Sequence, residues 1–502
     1  MPTVIQNKWD GGSAEDIRTT NTNQSEKSQN FDIFTEPYRL NPYPDSIAET
    51  ADVAMDDSEI SDVVVSTISG TDYITGIGYE SAGSTAMTFY TKTSITGTFV
   101  KQASATGNSF VKGSGVTYKG LAFGVDDNGS GTYRLIRFNS AGSTTTIGSI
   151  SATSGKVVKC FVHPEDNVLY VVISNVIATW NGSTFTTYTS ILPLNYSATS
   201  LTNYGGYLAI TMNSDQGANK PTCFLWGRDG TINTLQASVP LGEGYVGLVE
   251  NLNNNLIFVM SPYSGFNTDI QNKIIVKGYS GGSVDTLAEV LDNSTLSIGQ
   301  VQTYKAKKNN RVYFGFRNSD CVWTFGKNKE GTYVLTQDRF STNGTQISGN
   351  PSNQTFFVSI IGDVMWVGGS NQSGVYTLMR SKIVSGEGLT YTGTSTYKTT
   401  INPSMPIADR YKSKQLQAFR LSYTGTASGT LTLKYAVDGS TMTTAVSLST
   451  SSGEDTIEAT NQEDGSPFDI KEGRELQFQI ESTGGVKIKE FAYRYDIKET
   501  TI

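Results

Sequence analysis

Hydrophobic positions along this chain fall in short runs, and polar turns marked by glycine separate the runs at a recurring spacing. The turn glycines are Gly97, Gly142, Gly182, Gly230, Gly282, Gly331 and Gly388, spaced 40 to 57 residues apart. Ahead of each turn lies an apolar run such as Leu135-Ile136-Arg137-Phe138, Ile177-Ala178-Thr179-Trp180 or Val322-Trp323-Thr324-Phe325. Further upstream comes a second run, as in Val168-Leu169-Tyr170-Val171, Leu256-Ile257-Phe258-Val259 and Val364-Met365-Trp366-Val367. Aromatic and β-branched runs this short, bounded by Gly, Asn, Asp and Ser, read as strands buried on both faces. A self-similar unit of a few strands every 40–50 residues or so is the pattern of a β-propeller blade. The repeat therefore predicts an all-β chain with a seven-bladed β-propeller over residues 60–392.

The pattern changes on either side of the repeat. Residues 1–59 lack apolar periodicity but hold a proline-rich stretch, Phe31 to Pro44, which favours extended backbone. Within it Phe31, Phe34, Tyr38, Leu40 and Tyr43 offer apolar anchors, which a plain linker would lack. This region is expected to be an extended N-terminal docking arm, its anchors seated on a groove of a neighbouring subunit, with docking on its own ring as the alternative. An acidic joint, Asp45 to Asp62, leads into the repeat. From residue 397 to 502 the strands are fewer and longer. Leu431, Leu433, Tyr435 and Val437 alternate onto one face, and Asp438-Gly439 supplies a hairpin turn. A C-terminal β-sandwich of jelly-roll or immunoglobulin-like type is expected there.

Composition narrows the function more than the fold. The chain has 502 residues, 17% of them charged, with a net charge of −8. That balance argues against nucleic acid as a partner, which calls for a basic surface. No run approaches a membrane span, and the N-terminus shows no apolar signal-peptide core. Cys160, Cys223 and Cys321 are scattered among apolar residues and read as buried free thiols rather than a disulfide frame or zinc site. The single histidine, His163, reads as a surface turn residue. Gly278-Tyr279-Ser280-Gly281-Gly282 spells G-x-S-x-G but precedes no helical pattern, which a nucleophile elbow requires.

A propeller glycosidase needs only carboxylates, so acidic turn residues are the remaining catalytic candidates. These are Asp126, Asp127, Glu165, Asp166, Asp229, Asp285, Asp320 and Asp363, each near Gly or Asn in a turn where Asp bonds its own backbone. Asp127-Asn128-Gly129-Ser130-Gly131-Thr132-Tyr133 loosely echoes a sialidase turn box, but Arg134 and Arg137 have no third arginine beside them. The Asp126-Asp127-Asn128 turn lacks the spacing of a calcium loop. No catalytic, cofactor-binding or metal-binding residue is assigned, and the chain is expected not to be an enzyme. Tyr263 and Tyr279 are turn aromatics that could stack on sugar.

Lys8-Trp9-Asp10-Gly11-Gly12-Ser13-Ala14-Glu15-Asp16-Ile17-Arg18, the Phe31 to Pro44 stretch and the ending Val486 to Tyr495 resemble tail-region virion structural proteins of tailed bacteriophages. The likeness covers both ends of the chain and carries no catalytic motif. It implies a structural component of the virion, made in the host cytoplasm and mounted by the arm on other virion proteins. Such a protein would be a homo-oligomer in the particle, presenting its propeller as an assembly or host-contact platform. The alternative is a glycan-binding or glycan-cleaving adhesin facing a host surface glycan, with the sandwich as its carbohydrate-binding module.

Overall fold

The computed structural model describes residues 3–6, 27–29, 31–32, 41–42, 46–49, 60–79, 86–153, 157–189, 192–214, 220–229, 232–261, 273–291, 304–315, 322–329, 331–338, 341–342, 345–346, 357–370, 376–381, 394–399, 412–438, 440–460, 472–473 and 475–497. Among these the fold is all-β, with no helix. Its main body is a succession of four-stranded antiparallel units, each an up-and-down meander, in a propeller-like arrangement. The third unit shows the logic. Its strands are Val158–His163, Val168–Ile173, Val176–Trp180 and Phe185–Tyr188, paired in that order. Val168–Ile173 is buried at every position, as a continuous β-branched run demands, while the outermost Phe185–Tyr188 is only half-buried. The outer strand is thus the most exposed, because the outer edge meets water.

Each unit shares a hydrophobic core with the next. Tyr170 and Ile177 of the third unit pack with Leu208, Phe224 and Trp226 of the fourth, and Ala209 and Leu225 of the fourth pack with Val249 and Phe258 of the fifth. Ile60, Tyr90 and Phe99 of the first unit share a cluster with Phe357, Trp366 and Leu378 of the last. The innermost strands follow the same succession: Ile60–Ile68 touches Val116–Tyr118 on one side and Phe357–Ile361 on the other. The first two units run together into one sheet, because the end of Val100–Phe110 also pairs with Leu121–Asp127.

Turns between first and second strands are short and left-handed. Ser69-Gly70, Lys119-Gly120, Gly205-Gly206, Asn253-Asn254 and Asn309-Asn310 all have positive φ at both positions, the two-residue hairpin geometry that matches strand twist. In the third unit this turn is longer, residues 164–167, with only Asn167 at positive φ.

The described parts of residues 1–59 are strands of this chain's own sheets. Thr3–Gln6 lies on the edge of Lys487–Ile497. Lys27–Gln29 joins the outer strand Tyr333–Asp338 to Ser395–Thr399, so one sheet runs from the sixth unit into the C-terminal region. Ser46–Ala48 pairs with Tyr376–Ser381 and supplies the outer strand of the last unit. The expectation that Phe31 anchors a neighbouring subunit is corrected. Its side chain is fully buried among Phe419, Tyr435 and Phe478 of its own C-terminal region, where covering that core removes more apolar surface from water than an exposed arm could. Phe34, Tyr38, Leu40 and Tyr43 lie outside the described residues.

The C-terminal region has two facing sheets. One carries Thr3–Gln6, Lys487–Ile497, Lys414–Gly425 and Gly453–Thr460; the other continues through Ser395–Thr399, Leu476–Thr483, Thr430–Val437 and Thr443–Ser449. Leu431, Leu433, Tyr435 and Val437 all point into the core between them.

Candidate functional site

Two cavities collect polar side chains. The first lies at the junction of the third and fourth units, where the long turn 164–167 faces Gly205-Gly206. It holds about 220 Å³ and is lined by His163, Glu165, Asp166, Tyr170, Gly206, Leu208 and Trp226. Glu165, Asp166 and Gly206 are exposed at its mouth, while His163, Tyr170, Leu208 and Trp226 are buried at its floor. The walls are held by local bonds. The Tyr170 hydroxyl donates to Asp166 Oδ2 at 2.5 Å, and the Val168 N–H donates to Asp166 Oδ1 at 3.0 Å. Tyr170 meets Trp226 edge-on, ring centroids 5.6 Å apart, and Tyr188 flanks the same indole at 5.9 Å. A side chain at Gly206 would come within 3.2 Å of Glu165 Oε2, so glycine lets the carboxylate lie over the turn.

Two of the residues lining this cavity carry a buried nitrogen without a hydrogen-bond partner. The Glu165 N–H donates to His163 Nδ1 at 3.4 Å, so in the neutral ring the hydrogen resides on Nε2. Nε2 is buried without a hydrogen-bond partner, and so is Trp226 Nε1. Native proteins seldom leave buried donors unpaired, because each costs about 1–3 kcal/mol. His163, expected as a surface turn residue, is therefore corrected: it is 3% exposed, closing its strand beneath the longer turn with Phe161 and Tyr170 edge-on to its ring.

Elsewhere, bonds between neighbouring inner edges tie the units together. Thr67 N–H donates to Gly120 O (2.5 Å), Tyr118 OH to Asn167 O (2.8 Å), and Asn251 Nδ2 to Asn203 O (2.8 Å). Lys307 donates to Asn251 O, and Lys308 to Gly362 O (2.7 Å). At the third–fourth junction the corresponding turns flank the cavity instead.

The second cavity, of about 190 Å³, lies where inner strands converge, and Asp62, Lys159, Ser200, Tyr304, Lys305 and Ser359 line it. Its polar groups are mostly committed. Lys305 Nζ donates to Leu201 O (2.7 Å), Val249 O (2.5 Å) and Glu250 Oε2 (2.8 Å), which uses its three hydrogens. Burial pushes the Glu250 carboxyl up, but the Lys305 and Lys307 ammonium groups outweigh it and hold the carboxyl below its ordinary value. Asp62 Oδ2 accepts the N–H groups of Gly113 (2.9 Å) and Gly115 (3.2 Å). Burial still raises its carboxyl to about 7 and lowers the Lys159 ammonium to about 8.

The remaining acidic candidates are structural or separate. Asp126 pairs with Arg134 at 2.5 Å, Asp127 Oδ1 accepts the Gly129 N–H, and Arg137 bonds Asn139. Asp363 pairs with Lys308 at an exposed turn, and Asp285 accepts the Ser283 hydroxyl. Asp320, Tyr263 and Cys321 lie outside the described residues, as does the side chain of Asp229. Gly278 to Gly282 links strand Lys273–Tyr279 to strand Val284–Leu291, not to a helix. Among the described residues no three His, Cys, Asp or Glu side chains converge to hold a metal ion. Of all these candidates the fold brings His163, Glu165 and Asp166 together; Tyr170 and Trp226 were not singled out from sequence as site residues. The signal that could have found the site was the four-residue turn where other units carry two.

No protein-family model matches this sequence, and none of the curated proteins does. Solved structures with a similar course include an exo-β-1,3-galactanase from Phanerochaete chrysosporium, at 11% identity and a TM-score of 0.29, over 91% of this chain and 100% of that one. The SapL1 lectin, solved with α-methyl fucoside, matches 56% of this chain and 97% of its own at 13% identity and a TM-score of 0.38. Hsv2 of Kluyveromyces lactis matches 65% of this chain and 99% of its own at 10% identity and a TM-score of 0.38. The expectation that the chain is not an enzyme is corrected by this comparison. The similar structures include a glycoside hydrolase, and absence of activity is not a property we assign.

Proposed function

We propose that this chain recognises glycans, with its binding site at the junction of the third and fourth units of a seven-bladed β-propeller. The seven-bladed count is supported by the shared cores, which pass from each unit to the next and from the last back to the first. The observation that carries the function is one cavity whose buried aromatic floor, His163, Tyr170 and Trp226, meets exposed Glu165 and Asp166 carboxylates at its mouth. A sugar hydroxyl can donate to the carboxylates at the rim while the ring lies against the floor. The apolar floor of Tyr170 and Leu208 suits the C–H face of such a ring.

The resemblance of both chain ends to phage tail-region proteins gives this activity a setting. Carried on a virion beside other virion proteins, the propeller would hold the site toward host surface glycan. The test is direct binding of the full chain to immobilised glycans, with His163→Ala and Trp226→Phe expected to weaken capture at least tenfold. Reducing ends released from a captured glycan would show whether binding proceeds to cleavage. Unchanged capture by both variants would remove the site from this role.

A further inference from the structure

Resting on the glycan reading, we infer that a shelf of three tyrosines at the next junction, between the fourth and fifth units, is a second sugar subsite, so that an extended glycan is recognised. Tyr204 and Tyr207 face each other across the two-residue turn Gly205-Gly206. The Tyr204 ring meets Tyr279 of the fifth unit at 5.9 Å, and a side chain at Gly281 would come within 3.6 Å of the Tyr204 hydroxyl. Tyr279 is the turn aromatic singled out from the sequence. The Tyr207 ring rests where a side chain at Gly227 would stand, with two ring carbons 3.0 Å from that position, and the residue stays 38% exposed. Glycine at 227 thus seats the ring on backbone, and solvent reaches the rest of it.

The shelf and the cavity belong to one surface. Leu208 and Trp226 pack into the third–fourth junction, and successive strand residues point to opposite faces, so Tyr207 and Gly227 lie on the fifth-unit face. The turn Gly205-Gly206 separates the two sites, and it carries no side chain. Gly206 lines the cavity, and a side chain at Gly205 would meet nothing within 4 Å. Sites on the two faces of one sheet lie about 10 Å apart, a span that roughly two or three linked sugar residues cover. The negative face of an aromatic ring attracts the C–H hydrogens of a sugar, whose hydroxyls stay in water. A protein partner fits less well, because a stable protein contact covers about 800 Å² on each side. Among the described residues the other exposed large apolar side chains are scattered: Val100 in the first unit, Leu194 at the far end of the fourth, and Leu235, opposite Trp226, on its third-unit face.

The experiment measures binding of the full chain to glucose, galactose, mannose and N-acetylglucosamine and to their short linear oligomers. At least one series is expected to bind about tenfold more tightly as a trisaccharide than as a single residue. Tyr207→Ala and Tyr279→Ala should each remove most of that gain and leave binding of the single residue within about twofold of the parent. His163→Ala, in the cavity, should weaken every length. Tyr207→Phe keeps the ring and should keep the gain. Leu194→Ala removes a more exposed apolar side chain elsewhere and should change nothing. Binding that does not tighten with length, or a gain that survives both alanine variants, overturns the inference and leaves glycan recognition standing. So does a gain lost as fully in Tyr207→Phe as in Tyr207→Ala, because the hydroxyl and not the ring would then carry it. If no series binds at any length, glycan recognition itself falls, and the inference with it.

Discussion

Two junctions between neighbouring units bury polar side chains in opposite ways. Where the last unit meets the first, Glu49 follows the inserted strand Ser46–Ala48 into the interior, and both of its carboxylate oxygens are matched. Its Oε2 takes Lys92 Nζ at 2.5 Å, and its Oε1 takes Arg380 Nε at 2.9 Å and the Trp366 indole N–H at 3.2 Å. Lys92 also sits 4.5 Å above the Phe99 ring. Where the third unit meets the fourth, the indole of Trp226 and the imidazole of His163 are as deeply buried, with their N–H groups left over. A buried polar group with a full set of partners holds a structure together, whereas one without them lowers stability. Each unmatched donor costs about 1–3 kcal/mol.

The seam gives the largest expected effect. Glu49→Ala removes the anion from between two buried cations and leaves both uncompensated, which typically costs about 3–5 kcal/mol. Chemical denaturation of the full chain should show that loss, and Glu49→Gln, which can still accept the indole N–H, should lose less. A Glu49→Ala protein as stable as its parent would mean that the seam is closed by strand pairing alone.

Asp62 lies between the two extremes, with one oxygen bonded to two backbone N–H groups and the whole residue buried beside the axial cavity. Its folded-state carboxyl, at about 7, stands above the ordinary 3.8, so its contribution is present below pH 3.8 and is lost as pH rises through about 7. Asp62→Asn keeps an acceptor for both N–H groups and never ionises. Part of the gain is offset because Lys159, lowered to about 8, loses the attraction of Asp62. The variant should match its parent at pH 4 and exceed it by about 1–3 kcal/mol at pH 8. A difference that does not grow with pH would show that the axial carboxylate is better matched than its burial implies.

What could be read from the sequence was the repeating part. Runs such as Val168-Leu169-Tyr170-Val171 announce buried strands through their own composition, and the alternation of Leu431, Leu433, Tyr435 and Val437 marks a one-sided strand. Local turns were half legible: Gly142, Gly182 and Gly331 stood out and do take positive φ, whereas the inner turns Lys119-Gly120 and Asn309-Asn310 use residues that draw less notice. The N-terminal segment was opaque for a physical reason. Strands of three or four residues, added singly to existing sheets, bond through backbone and need no periodic side-chain pattern. The site was opaque for another. His163 and Trp226 come from different units, and only packing of the third against the fourth brings both side chains to one cavity.

The smallest expected effect is the sharpest test of the contrast, because it makes one change at both junctions. Trp→Phe deletes an indole N–H and trims the ring while keeping an aromatic in place. At Trp366 it removes a bond to the Glu49 carboxylate, and hydrogen bonds to charged groups are worth about 1.5–3 kcal/mol. At Trp226 it removes a donor with no partner, so the relief of an unpaired buried N–H opposes the packing lost with the smaller ring. Trp366→Phe should therefore destabilise the chain by about 1–2 kcal/mol more than Trp226→Phe, measured by denaturation of the two variants side by side. Glycan capture should follow the reverse order, falling in Trp226→Phe and holding in Trp366→Phe. If the two variants lose equal stability, Trp226 Nε1 already has a partner, and the third–fourth junction is a seam like the other.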